Sequence, residues 1–128
     1  MRIDQVEWQT VVSCQPDTRI SSVRKLFDQS KSDSVLLIEG GLMIGCVERA
    51  DLLGQGLQTG PRWEQLPIGP YAHSCTFHAA PEMDVDQVLH WMIKHRISVV
   101  PVKQNHKIVG MVSKLQLTAA LDHEPVFV

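Results

Sequence analysis

Residues 95–113 read His95-Arg96-Ile97-Ser98-Val99-Val100-Pro101-Val102-Lys103-Gln104-Asn105-His106-Lys107-Ile108-Val109-Gly110-Met111-Val112-Ser113. Two short apolar runs, the first ending at Val102 and the second running from Ile108 to Val112, flank Asn105, a turn-forming residue. The stretch is therefore expected to form a β-hairpin. Pro101 has no N–H to give to a ladder, which puts its strand at a sheet edge or at a bulge. Upstream, Val85, Val88, Leu89 and Met92 follow the spacing of one apolar helix face. Asp84 offers that helix an N-cap, and Pro81 ends the extended segment before it. Downstream, residues 115–121 are expected to form a short closing helix.

The same arrangement occurs earlier in the chain. A shift of 65 positions aligns residues 11–53 with 76–118 without a gap. Identities are few: Pro16 with Pro81, Val23 with Val88, Val35 with Val100, Gly45 with Gly110, Val47 with Val112 and Leu52 with Leu117. The weight lies in matched apolar positions, among them Ile20 with Val85, Leu26 with Trp91, Phe27 with Met92, Leu37 with Val102, Met43 with Ile108, Ile44 with Val109 and Cys46 with Met111. The first copy thus predicts a helix around Ile20 to Phe27, capped by Asp17 or Thr18, then a hairpin turning at Gly40-Gly41 and a helical tail over residues 50–53. The join over residues 54–70 holds four glycines and three prolines and is expected to be a surface linker. Repeat 1 is placed at residues 1–58, and the linker with repeat 2 at 59–128. The fold class is α/β (α+β). Neither βαββα repeat can bury both faces of so small a sheet, so the two are expected to pack face to face as a pseudo-two-fold pair.

Composition narrows the function. At 128 residues, with 44% hydrophobic and 20% charged residues, the chain can bury a core without disulfides or a structural metal. Its net charge is -2 and its pI near 6.3, so no global positive field recruits nucleic acid or an anionic membrane. Cys14, Cys46 and Cys75 form no disulfide pattern, the first residues contain no apolar stretch of signal length, and no run reaches the ~20 apolar residues of a membrane span. A cytoplasmic location is the expectation. The motifs of phosphate-binding loops, serine hydrolases, zinc proteases and dinucleotide folds are missing, so no catalytic residue and no enzymatic activity are assigned. His73 and Cys75 share one strand face and His78 the other; two co-facial donors are too few for a zinc site, and no metal is assigned. Trp8, Trp63 and Trp91 lack a basic groove and are read as packing residues.

The segment from His95 to Val102, followed by Lys107 to Ser113, resembles the cystathionine-beta-synthase (CBS) domain family, and the tandem arrangement resembles its paired form, the Bateman module. The likeness covers about residues 5–121. In the first copy Leu36 replaces the proline and Glu48 the hydroxyl residue. The resemblance implies a regulatory module that binds an adenosine-containing ligand (AMP, ADP, ATP or S-adenosylmethionine) in its inter-repeat clefts, requires no cofactor, forms a homodimer and acts on an effector, attached or separate. One cleft would combine Glu48 and Asp51 with Phe77, His95, Arg96, Ile97, Ser98 and Val99. Asp51 would be the ribose acceptor and Arg96 or His95 the phosphate partner, since a carboxylate accepts from both ribose hydroxyls and a guanidinium grips phosphate oxygens. The other would combine Met111, Ser113 and Gln116 with Val12, Ser32, Asp33 and Ser34.

These positions also have structural readings. Asp51 can serve a helix N-terminus, Ser113 can cap the helix after it, and His95 and Arg96 suit a helix C-terminus. Glu48 would repel a phosphate, and Gln116 stands where a ribose carboxylate is expected. A module with clefts that do not bind, serving dimerisation or partner contact, is the alternative.

Overall fold

The computed structural model describes residues 1–54, 61–75 and 77–122. The chain forms two compact units: residues 12–76, and residues 1–11 together with 77–128. The repeat boundary at 58/59 lies outside the described residues.

The unit 12–76 starts with strand β1 (Ser13–Cys14), followed by helix α1 (Ile20–Ser30), strands β2 (Ser34–Glu39) and β3 (Leu42–Glu48), and helix α2 (Arg49–Gly54). After the undescribed stretch come helix α3 (Pro61–Glu64), a 3-10 turn at Gly69–Tyr71 and strand β4 (His73–Ser74). The sheet order is β1-β2-β3-β4, with β1 parallel to β2 and the other pairs antiparallel. The second unit holds α4 (Val85–Lys94), β5 (Val99–Gln104), β6 (Lys107–Ser113) and α5 (Lys114–Asp122), with a 3-10 turn at Ile3–Gln5.

Both hairpins turn on two consecutive left-handed residues, Gly40-Gly41 and Asn105-His106. Two positive φ angles define the tight turn whose twist matches that of the flanking strands. Both ladders then slip register at the same place, between Leu37 and Ile38 and between Val102 and Lys103. The cores repeat as well. Ile20, Val23, Phe27, Val35, Leu37, Val47 and Leu52 are buried in one, and Val85, Val88, Met92, Val100, Val102, Val112 and Leu117 in the other. These seven pairs are all among the positions matched by the shift. Each such side chain contributes about 1.5–3 kcal/mol through burial.

Three local expectations need correction. In the first copy neither Asp17 nor Thr18 caps the helix: α1 starts after Arg19, with no side-chain cap, and the Ile20 N–H donates to the carbonyl of Leu66 instead. Asp84 does cap α4, accepting from the Asp86 N–H at 2.9 Å. The segment read as a surface linker carries core residues among its described positions, since Trp63 and Ile68 are buried with α1 and the Ile68 N–H donates to the Thr18 carbonyl. Finally, the expected β-strand before α4 shrinks to a single bridge at Ala79 beside Val102. In the first unit the Leu36 N–H donates to the Val12 carbonyl at 2.8 Å, and Pro101, at the equivalent place, has no N–H to do so.

Candidate functional site

The residues singled out by the sequence gather at the ends of the two hairpins, and each unit carries its own set. In the unit 12–76, β3 ends at Glu48 and α2 begins at once. Asp51 folds back over this junction, its Oδ2 accepting the Glu48 N–H at 2.8 Å. Its Oδ1 accepts from His73 Nε2, also at 2.8 Å. The hydrogen bond that His73 donates to Asp51 is the main cause that raises the His73 pKa; desolvation opposes it, and the charges of Asp51 and Glu48 add to it.

His73 is brought there by β4, where it lies opposite Cys46. The close approach requires Gly45: a Cβ on that residue would sit 2.5 Å from the His73 carbonyl oxygen. This explains one of the few identities between the repeats. At Gly110 the neighbour is Trp8, whose Cβ would lie 2.7 Å away, and the adjoining Gln9 pairs with Met111 through both backbone groups. The residues preceding each hairpin's partner repeat thus supply a crossing segment to it, 72–74 in one unit and 8–9 in the other.

At the other end of β2, the Ser32 hydroxyl donates to the Ser34 carbonyl and accepts the Ser34 N–H, a local turn that starts the strand. Ser34 is buried, whereas the Asp33 carboxylate is exposed, 3.6 Å from Arg49 Nε. Arg49 also donates to the carbonyls of Phe27 and Ser32 and covers the Phe27 ring at 5.2 Å, closing the C-terminus of α1. Val12 stands beside this strand start through its bond to Leu36.

In the second unit, Ser113 and Gln116 form a reciprocal capping box on α5. The Ser113 Oγ accepts the Gln116 N–H at 3.0 Å, and Gln116 Oε1 accepts the Ser113 N–H at 3.3 Å. Gln116 Oε1 also accepts from Gln9 Nε2 at 3.2 Å, and its Nε2 donates to the Glu7 carbonyl. Met111 is buried. Phe77, Trp91 and His95 form one group: Phe77 stacks on Trp91 at 3.7 Å between centroids, and the His95 ring also lies against Trp91, at 4.3 Å. Trp91, expected from the sequence to pack, lies here against two residues assigned to a ligand. The i, i+4 spacing of Trp91 and His95 was the available signal; the distant Phe77 left none. Arg96 is exposed and left-handed, with φ 55, and the Ile97 N–H reaches back to the Met92 carbonyl, ending α4. Ile97 packs on the core, Val99 is buried opposite Ser113, and the Ser98 carbonyl accepts the Lys114 N–H. Among the described residues no group of three or more His, Cys, Asp and Glu is placed to hold a metal, and no helix is long and apolar enough to cross a membrane.

The CBS domain family model matches residues 75–123. By that match the second repeat is similar to a CBS domain. Solved structures extend the likeness to nearly the whole chain. A CBS-domain protein from Pyrobaculum aerophilum, described as complexed with AMP, is 19% identical with a TM-score of 0.77, covering 97% of this chain and 100% of its own. The CBS-domain pair of protein MJ0100, in complex with 5′-methylthioadenosine and S-adenosyl-L-methionine, is 17% identical with a TM-score of 0.78, covering 95% and 96%. A CBS-domain protein from Agrobacterium tumefaciens is 21% identical with a TM-score of 0.74, covering 88% and 90%. The fold of the chain is that of a tandem CBS pair. No curated protein matches the sequence.

Proposed function

We propose that this CBS pair is a regulatory, non-catalytic module that senses an adenosine-containing ligand, acting in the cytoplasm as a homodimer on an effector. The fold it shares with pairs described in complex with AMP and with 5′-methylthioadenosine and S-adenosylmethionine carries this reading. The ligand residues are those assigned by resemblance: Glu48 and Asp51 with Phe77, His95, Arg96, Ile97, Ser98 and Val99, and Met111, Ser113 and Gln116 with Val12, Ser32, Asp33 and Ser34. Asp51 takes the ribose hydroxyls and Arg96 or His95 the phosphate.

Thermal unfolding with and without AMP, ADP, ATP and S-adenosylmethionine tests it, on wild type and on Asp51→Ala. A ligand at a hundredfold excess over its Kd stabilises the folded form by about 2.7 kcal/mol. The expected result is a rise in Tm of several degrees with one of these ligands, lost in Asp51→Ala.

A second reading, a module for dimerisation or protein contact with clefts that hold no ligand, is favoured by one observation: Asp51 and Gln116 already have their oxygens engaged. No change in Tm with any of the four ligands would establish that reading in place of the first.

A further inference from the structure

Asp51 and Gln116 occupy equivalent positions in the two repeats, and each is held by a side chain of the segment that crosses its hairpin. His73 Nε2 donates to Asp51 Oδ1 at 2.8 Å, and Gln9 Nε2 donates to Gln116 Oε1 at 3.2 Å. The second Asp51 oxygen is taken by the Glu48 N–H. A ribose that donates its hydroxyls to Asp51 needs these same oxygens, so His73 competes with it. The two holders differ in kind. A histidine can make its hydrogen bond as a cation, and a charge-assisted bond is roughly twice as strong as the neutral one that a glutamine makes.

The surroundings of His73 favour its charged form. Asp51 faces it from α2 and Glu48 from β3; Cys46 is also on β3, and Cys75 follows it on its own segment. Burial, then the proximity of Cys75, Glu48 and Asp51, pushes the Cys46 thiol up to about 12, so that group stays neutral while His73 titrates. The His73 ring is 61% exposed, open to exchange protons with water, whereas Asp51 is 23% exposed.

We propose that His73 is a positioning residue that makes ligand binding through Asp51 dependent on pH: protonated, it holds the carboxylate against an incoming ribose, and deprotonated, it yields it. The inference rests on reading Asp51 as the ribose acceptor. The sign follows from the contact. The hold is strongest below the raised pKa of His73, so affinity is lowest in acid and increases as pH rises through that pKa. The pair formed by Gln9 and Gln116 has the same construction with nothing to titrate, so a ligand held through Gln116 is indifferent to pH.

The probe is 5′-methylthioadenosine, which has no phosphate to titrate, measured by calorimetry at about pH 5.5 and about pH 8.5, values that bracket an ordinary histidine. Wild type, His73→Ala, His73→Gln and Asp51→Ala are compared. The part of the binding lost in Asp51→Ala should tighten roughly fivefold with the rise in pH, the scale of an exposed ion pair, and both His73 variants should bind without pH dependence. His73→Gln copies the neutral hold of the other unit, so it separates charge from the loss of the side chain. A flat wild-type profile, or a pH dependence that survives in His73→Ala, overturns the proposal and leaves the sensor reading standing. If 5′-methylthioadenosine binds no variant at either pH, the proposal falls, and the sensor reading falls with it only if AMP, ADP, ATP and S-adenosylmethionine also leave Tm unchanged. An NMR titration of the His73 ring without ligand gives a direct check: its pKa should fall in Asp51→Asn, and an unchanged value overturns the proposal.

Discussion

Arg96 shows how one residue can be asked to do two things. It holds a left-handed backbone at the end of α4, as Lys31 does at the end of α1. For a residue with a Cβ that conformation costs about 1–2 kcal/mol, and glycine, which is common there, avoids it. Arg96→Gly is therefore expected to raise stability by about 0.5–1 kcal/mol, after the extra freedom of glycine in the unfolded chain is counted. If Arg96 also grips a phosphate, the same variant should weaken AMP and leave 5′-methylthioadenosine unchanged. Chemical denaturation and calorimetry on one preparation read both effects; a variant that is no more stable and binds AMP as before contradicts both roles. The positions of Asp51, Ser113 and Gln116 were legible in the sequence because the resemblance to the CBS family marks a motif just after the last strand of each repeat. Their partners His73 and Gln9 were not, because each comes from a distant segment and a hydrogen bond between distant side chains leaves no periodic trace.

Among elements, the hairpins and the helices before them were legible, since each buries a regular stripe that the repeat shows twice. The crossing segments were not. β4 is two residues long and its counterpart around Gln9 is a single bridge, too short for any alternation to register. What fixes β4 is the bare backbone of Gly45. Gly45→Ala would drive a methyl group onto the His73 carbonyl, which is backbone and cannot rotate away. It is expected to cost about 1–3 kcal/mol and to move His73 off Asp51, which NMR would record as a fall of the His73 pKa towards its ordinary 6.5. A destabilised variant with the His73 pKa still raised would show that β4 is held by other means. The contact has a linked effect on stability. Because folding raises the pKa, its contribution is complete below about 6.5 and fades as pH rises through the folded value. With the ring mostly exposed, this amounts to no more than about 1 kcal/mol.

Across the whole molecule, the repeats read from the sequence and the units formed in space are offset. Residues 1–11 belong with the second repeat, where Ile3 is fully buried beside Val85, Val88 and Met92. The Ile3 N–H donates to the Met83 carbonyl, and the Val85 N–H to that of Met1. Nothing in so short a stretch announces a core residue, and the aligned window begins only at residue 11. Ile3→Ala should destabilise the second unit by about 2–4 kcal/mol, seen in native-state hydrogen exchange as lost protection in α4 and β5. Unchanged exchange there would mean that the N-terminus is dispensable. The offset also sets an order of events on the ribosome. Residues 12–76 form one compact unit from a continuous span and can gather as that span emerges. Residues 1–11 must wait until the second repeat has been made before they find their place, so until then Ile3 and Trp8 are apolar side chains with nowhere to go.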